Sequence, residues 1–378
     1  MAIELSKEEI KLYEETLEFA KKNLAPYAHD NEESGKFPIE VLKQFCDAGY
    51  CCINLPEEFG GKNLGFLQSA LVYEALAHGD AAFTFAMECH NNISYEIYKF
   101  NPHESVKELI PEMVKGNKLT SFALTEPEAG SDPSRCSTYA TLEEDGYHIN
   151  GTKTWATNGL EADLINVMVK DGSPKGMLML LVDNRSKGIS IEKGSEKMGA
   201  SFVSTPTIKF DNCIVPKERL LSSNGFKDVF WCIDIARIFV SAIATGLAQE
   251  AIDQTIKYLG KRVQFKKPLI SNQGIQWSLA ELSTQVEAGR WMTYRAATLM
   301  DKGEPSIKAA TMAKLYCTDL AMKVTTECCQ LLGANGYSKD YPLERMMRIA
   351  KMLQIVDGTT QIQKVVLGRF IEREGIES

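Results

Sequence analysis

The sequence predicts a mostly α-helical protein with a central β domain. It divides into an N-terminal helical domain (1–118), a small β-barrel or sheet domain (119–224) and a C-terminal helical bundle (225–378). Three observations predict this order. Apolar residues recur at three- and four-residue spacing up to about Lys118; short β-branched runs punctuated by glycines follow; the helical period returns from about Gly225 in segments long enough for several turns.

In the first part, Ser6-Lys7-Glu8-Glu9 has capping-box spacing ahead of Ile10, Tyr13, Leu17, Ala20 and Leu24, and Pro26 ends the run. Further helices are expected over 38–48, 66–78 and 104–114, separated by turn-rich stretches such as 56–62. In the second part, strands are expected over 147–149, 164–169, 177–182, 189–191 and 207–210, set off by Gly146, Gly151, Gly172 and Gly188. In the third, helices are expected over 240–258, 275–300, 307–332 and 342–374. No internal repeat or low-complexity segment interrupts the pattern.

With 378 residues, 44% hydrophobic and 24% charged, the chain can bury a large core. A net charge of -8 with dispersed lysines and arginines argues against a nucleic-acid binder, which needs a basic stripe. The ten cysteines are unevenly spaced and form no C-x-x-C, so reduced, mostly buried thiols are expected. His29, His78, His90, His103 and His148 are never at ligand spacing, so no metal site is expected. The N-terminal stretch from Met1 carries an acid early, and no run reaches the roughly 20 apolar residues of a membrane span, so a cytoplasmic location is the default.

Six segments carry the candidate chemistry. Phe122-Ala-Leu-Thr-Glu-Pro-Glu-Ala-Gly-Ser-Asp132 sits where helices give way to strands; Pro127 and Gly130 shape a loop whose N–H groups are available as donors to an anionic ring, although an ordinary polar turn reads the same way. Asn150-Gly-Thr-Lys-Thr-Trp-Ala-Thr-Asn-Gly159 sets a tryptophan among hydroxyls and glycines. Gly260-Lys-Arg-Val-Gln-Phe265, followed by Pro268, Leu269 and Gln273, offers in Arg262 paired donors suited to phosphate. Gln330-Leu-Leu-Gly-Ala-Asn-Gly-Tyr337 is a glycine-rich helix stop with an added glutamine. Asp234-Ile-Ala-Arg237 places two opposite charges in an apolar run, and Ile355-Val-Asp-Gly-Thr-Thr-Gln-Ile-Gln363 places one carboxylate, Asp357, before a glycine.

Together, in this order, these segments resemble the acyl-CoA dehydrogenases over nearly the whole chain. The resemblance implies FAD as cofactor, contacted by Phe122, Leu124, Thr125, Ser131, Trp155 and Thr157 in the first two segments. It implies Arg262, Phe265, Gln273, Gln330 and Gly333 at the flavin of a neighbouring subunit, with Thr359 and Gln361 completing the site. Ser131, Asp234, Arg237 and Gly358 would meet the acyl-CoA. Asp357 stands where the family keeps a glutamate base, so the carboxylate is shorter by one methylene, and Val356 replaces the usual tyrosine. Lys266 and Ala334 replace family glycines; the methyl of Ala334 requires a negative φ. Ala236 fills a position where some members carry their base, leaving Asp357 as the expected base and Glu88 as the first alternative.

The reaction implied is α-proton abstraction from an acyl-CoA, with β-hydride passing to flavin N5 and electrons to an electron-transfer flavoprotein, in a homotetramer built as a dimer of dimers. The altered base position is compatible with a cyclic, branched or unsaturated acyl group. An enoyl-CoA reductase or acyl-CoA lyase of the same family, or a weakly catalytic flavoprotein subunit, are the alternatives.

Overall fold

The computed structural model describes residues 4–101, 103–173 and 176–377. Met1 to Ile3, where the N-terminal reading begins, lie outside the described residues. The expected order of helices, sheet and helices is present: helices run to Val114, strands span Thr120 to Ser222, and long helices follow from Phe226.

The capping box forms, with Glu9 N donating to Ser6 Oγ at 3.2 Å and Ser6 N to the Glu9 carboxylate at 2.7 Å, and opens the helix Lys7–Asn23. The helix expected over 66–78 instead continues to Phe100. Gly79-Asp80 does mark a break: Asp80 leaves the helical region (φ -153°, ψ 102°), and its carboxylate then accepts from Ala82 N and Phe83 N to start a second segment across the kink. The expected helix over 104–114 is two short ones, Glu104–Lys107 and Ile110–Val114, with Pro111 in the first turn of the second.

Eight strands form one sheet in the order Ile189–Glu192, Thr207–Val215, Tyr147–Lys153, Tyr139–Leu142, Leu164–Lys170, Met177–Asp183 and Leu220–Ser222, with Thr120–Ala123 added parallel to Leu164–Lys170. Leu164–Lys170 is buried almost throughout, because helices pack on one side and the other strands on the other.

The helical core is built where Phe66–Phe100 crosses Phe226–Lys261, which in turn packs on Ile307–Leu332. Tyr73, Phe83 and Phe239 are buried there, each contributing roughly 1.5–3 kcal/mol. Contrary to the expectation that no segment resembles a membrane span, Phe226–Lys261 is long and apolar enough to qualify, with a mean hydropathy of 1.6. Because 83% of that window is buried against the rest of the protein, its apolarity is that of a core helix. The expected continuous helix over 342–374 is broken into Leu343–Leu353 and Thr360–Glu377, and the break contains Asp357.

Two cysteines depart from the reduced reading. The turn after the helix Ile39–Asp47, closed by Gly49 N donating to Cys46 O, folds Cys51 back so that Cys46 and Cys51 are joined in a disulfide. The other eight are free thiols, six of them buried.

Candidate active site

The break at Asp357 is a built loop. Asp357 adopts φ 53° and Gly358 φ 93°; a Cβ on Gly358 would lie 2.9 Å from Gln363 Nε2, so only glycine fits there. Three buried side chains hold the loop's carbonyls. Arg237 Nε donates to Asp357 O at 3.3 Å, Gln363 Nε2 to Asp357 O and Gly358 O at 3.2 and 2.8 Å, and Lys314 Nζ to Gln354 O and Gly358 O at 3.3 and 2.8 Å. Asp319 ties the flanks together by accepting from Gln354 Nε2 and Thr360 Oγ1. A left-handed non-glycine residue costs roughly 1–2 kcal/mol, and these bonds over-determine it.

The Asp357 carboxylate is left available: its Oδ2 is buried with no hydrogen-bond partner among the described residues. Burial raises its pKa above the ordinary range, and the charges of Lys314 and Arg237 pull it partly back. Arg237 is itself buried and donates to Asp234 at 2.8 Å, so it anchors the loop. Burial also pushes the Asp234 carboxyl up to about 6 against the opposing Arg237 charge. Of the other residues expected here, Gly358 is half-buried, Thr359 accepts from Ile362 N at 3.3 Å and Gln361 is exposed.

The two segments expected at the flavin are locked face to face. Lys153, fully buried, donates to Leu124 O at 3.0 Å and forms an ion pair with Glu126 at 2.7 Å. Thr154 N donates to Thr125 O at 2.8 Å, and Ser121 Oγ to Thr157 O at 2.7 Å. Phe122, Leu124, Thr125 and Thr157 are thereby brought together half-buried, with Trp155 beside them at φ 58° and 53% exposed. An aromatic held out in a strained backbone beside an open row of hydroxyl and main-chain groups fits a flat, polar-edged ring such as an isoalloxazine. Ser131 is exposed in the loop beyond them.

A third group forms at one end of the helical bundle. Asn335 Nδ2 bonds Tyr258 Oη, bringing the 330–337 turn beside the end of Phe226–Lys261, where Arg262 follows. Arg262, Phe265, Gln273, Gln330 and Gly333 are all exposed. Lys266, in place of the family glycine, still has φ 65°, whereas Ala334 begins a helical turn and Gly333 takes the positive φ. The local backbone thus retains a glycine-like form at 266 without the glycine.

The segment Ala86–His90 of the long N-terminal helix docks on this assembly. Asn158 Nδ2 donates to Ala86 O at 2.7 Å, and Thr120 Oγ1, on the strand that leads into Phe122, donates to His90 O at 3.1 Å. Glu88 lies within it, 2% exposed, with Oε1 unpartnered among the described residues. Burial, then the negative charges of Asp357 and Glu96, hold its carboxyl well above the ordinary range. Lys314, Gln363 and Glu88 are the residues sequence reasoning assigned no part at the loop or only an alternative one. Lys314 did leave a signal, as a cation on the apolar stripe Ala310, Ala313, Cys317, Ala321.

Two clusters have ligand-like composition: His78, Glu250 and Asp253 between helices, and Glu143, Asp145 and His148 on a hairpin. In the first, Glu250 is bonded to His78 and Gln254; in the second, His148 bonds Asp145 at 2.7 Å and Asn212 at 2.8 Å.

Family models for the acyl-CoA dehydrogenase N-terminal, middle and C-terminal domains match residues 6–117, 121–213 and 223–372. The chain belongs to the acyl-CoA dehydrogenase family. It is therefore an enzyme of the oxidoreductase class, with FAD as its cofactor. It is 37% identical to an acryloyl-CoA reductase (NADH) of Anaerotignum propionicum, covering 98% of this chain and 96% of that one. A chain in a structure of the electron transferring flavoprotein of Acidaminococcus fermentans superposes with a TM-score of 0.94 at 34% identity, covering 98% and 99% of the two chains. The butyryl-CoA dehydrogenase of Megasphaera elsdenii does so with a TM-score of 0.93 at 33% identity, covering 98% and 100%.

Proposed function

We propose that the protein dehydrogenates an acyl-CoA thioester to the enoyl-CoA, with Asp357 as the base that removes the α-proton. One observation carries this: a buried, unpartnered carboxylate oxygen on a loop whose carbonyls are held by Arg237, Gln363 and Lys314. The cations of Lys314 and Arg237 favour its ionised form, which is the form a base needs. The backbone N–H of Asp357 donates to the thioester carbonyl and acidifies the α-carbon. FAD, when bound, supplies the acceptor for the β-hydride. Phe122, Leu124, Thr125, Trp155 and Thr157 hold its ring, Thr359 and Gln361 lie beside it, and Ser131, Asp234, Arg237 and Gly358 border the substrate. Aspartate reaches about 1 Å less far than glutamate, a misplacement that costs on the order of 100-fold where nothing compensates. The substrate is therefore one seated closer to the loop than a straight fatty acyl group.

Asp357→Asn tests this reading. It keeps the shape and loses the basicity, so FAD and acyl-CoA binding should persist while flavin reduction falls by about 1000-fold or more. Unchanged reduction sinks Asp357 as base. Asp357→Glu should lower turnover of the native substrate by crowding it; higher turnover would mean that the pocket is an ordinary one with a shortened base.

An electron-transfer flavoprotein as acceptor is supported by the likeness to the Acidaminococcus fermentans chain. A homotetramer is supported by the exposure of Arg262, Gln330 and Gly333 beside Phe265 and Tyr337, the last two 91% exposed. A monomer that retains FAD would contradict it. A second reading, reduction of an enoyl-CoA, is favoured by the acryloyl-CoA reductase relative. Turnover compared in both directions with the holoenzyme separates the two.

A further inference from the structure

An acyl pocket made for a plain hydrocarbon has hydrocarbon walls. The stretch of Phe66–Phe100 fastened beside the flavin segments carries buried polar side chains instead. Glu88 and Asn92 lie one helical turn apart on the same face, 2% and 6% exposed, and each keeps an oxygen, Glu88 Oε1 and Asn92 Oδ1, buried without a partner among the described residues. Farther along that face Glu96 is different, since it accepts from Asn166 at 2.7 Å and is spoken for. Two neighbouring buried groups left unsatisfied are rare in a folded protein and destabilise it unless something completes them.

The position of these groups links them to the reaction rather than to packing. The Ala86–His90 stretch is fastened beside both flavin segments, through Asn158 to Ala86 O and through Thr120, on the strand that leads into the first segment, to His90 O. On the other side, the Asp357 charge acts on Glu88. Burial and the charges of Asp357 and Glu96 favour the protonated form of Glu88, whereas Lys314 and Arg237 oppose the effect of burial on Asp357 and favour its ionised form. The wall therefore offers a donor, the Glu88 carboxyl O–H, and one turn away an acceptor, Asn92 Oδ1.

We infer that Glu88 and Asn92 form a specificity site for a hydroxyl on the acyl chain, at the γ-carbon or beyond, so that the substrate class is a hydroxyacyl-CoA. This deepens the acyl-CoA reading and rests on it. A hydroxyl is the simple function that accepts from one of these groups and donates to the other at once. A hydrocarbon chain leaves both unpaired, and a site built to bond a hydroxyl discriminates strongly against the analogue that lacks it.

The test uses the Asp357→Asn holoenzyme, in which ligand binding is read without turnover, with pentanoyl-CoA and its 4-hydroxy and 5-hydroxy derivatives as probes and calorimetry as readout. At least one hydroxyacyl-CoA should bind about 100-fold more tightly than pentanoyl-CoA. Adding Glu88→Leu, an apolar replacement for a buried acid, should bring that ratio to about one, while Glu88→Gln, which retains an N–H donor, should keep it within about tenfold of the parent. If neither hydroxyl position is preferred, or the Leu variant keeps the preference, the inference is wrong and the two oxygens are bridged by an ordered water. Failure of the acyl-CoA reading shows differently, as no measurable binding of any of the three thioesters.

Discussion

Two lysines among the described residues are fully buried, and each holds a backbone carbonyl at a different part of the candidate active site. Lys153 holds Leu124 O where the segments 122–132 and 150–159 meet, and Lys314 holds Gln354 O and Gly358 O beside Asp357. Their surroundings differ in one respect. Lys153 has Glu126 against it at 2.7 Å, so its charge is neutralised locally. Lys314 has no carboxylate within ion-pair distance among the described residues, and burial holds its pKa down to about 8 while the Asp357 charge opposes that fall. A paired buried charge acts as a clamp, and its loss is felt as stability. An unpaired one remains an electrostatic resource for whatever acid lies nearby, and its loss is felt as function.

The clamp should give the largest effect. Glu126 also accepts from Ser137 and Thr138, so Glu126→Ala leaves a buried ammonium and several donors unmatched at once. A loss of about 3–5 kcal/mol in the urea unfolding free energy is expected. Although burial raises the Glu126 carboxyl, hydrogen bonding from Cys136 and the Lys153 charge hold it below the ordinary range. A depressed folded pKa contributes stability that is present above the unfolded carboxylate value and lost as pH falls through the folded one. The wild type should therefore lose stability on the acid side, and Glu126→Gln should show less of that loss. A cost below about 1 kcal/mol for Glu126→Ala would end the distinction drawn between the two lysines.

Lys314→Met comes next. It removes the donors on the loop carbonyls and the charge that favours ionised Asp357, and kcat/KM should fall about 10- to 100-fold, as for a base displaced by a fraction of an ångström. The pH dependence separates this role from a structural one. A lysine whose folded pKa is lowered opposes folding fully below about 8, and that opposition fades as pH rises toward its unfolded value, so stability from this group rises with pH. Activity should move the other way, falling as Lys314 deprotonates. If wild-type activity and stability instead fall together above pH 8, or the Met variant keeps the alkaline limb, Lys314 is not the group responsible.

The contrast also explains what was legible in the sequence. The family, and with it the FAD cofactor, was readable because the residue types around Asp357 and in the two segments 122–132 and 150–159 recur together over a few positions, and Lys153 lies inside one of them. Its partner Glu126 lay in the other, and only the fold could pair them. Lys314 and Gln363 act on carbonyls, which have no side-chain signature. The break at 354–359 was invisible because the helical period is sound on both sides and the bonds that end it come from Arg237, Lys314 and Asp319. The helix beyond Asp80 was missed because Glu88, Asn91, Asn92 and Glu96 are buried polar residues that erase the apolar period. The strands Thr120–Ala123, Tyr139–Leu142 and Leu220–Ser222 are short and owe their form to partners distant in sequence, as Thr120–Ala123 does to Leu164–Lys170. Residue types in a fixed local frame were legible; pairings made by long-range bonds were not.

A third lysine supplies the control. Lys266 is exposed, so its charge is solvated and neither clamps nor tunes a neighbour, yet its φ of 65° puts an L side chain in left-handed backbone. Substitution there should act through the backbone alone. Lys266→Gly relieves roughly 1–2 kcal/mol of left-handed strain but adds about 0.5–1 kcal/mol of chain entropy to the unfolded state, leaving a net gain of about 0.5–1 kcal/mol. Lys266→Ala keeps the Cβ and should change stability by less than about 0.5 kcal/mol. Measured beside Glu126→Ala and Lys314→Met, the pair gives the size of a lysine substitution when burial is absent. Should Lys266→Gly lower stability instead, the side chain has a contact in the assembled protein that one subunit does not display, and a drop in FAD retention with it would put that contact at the neighbouring flavin.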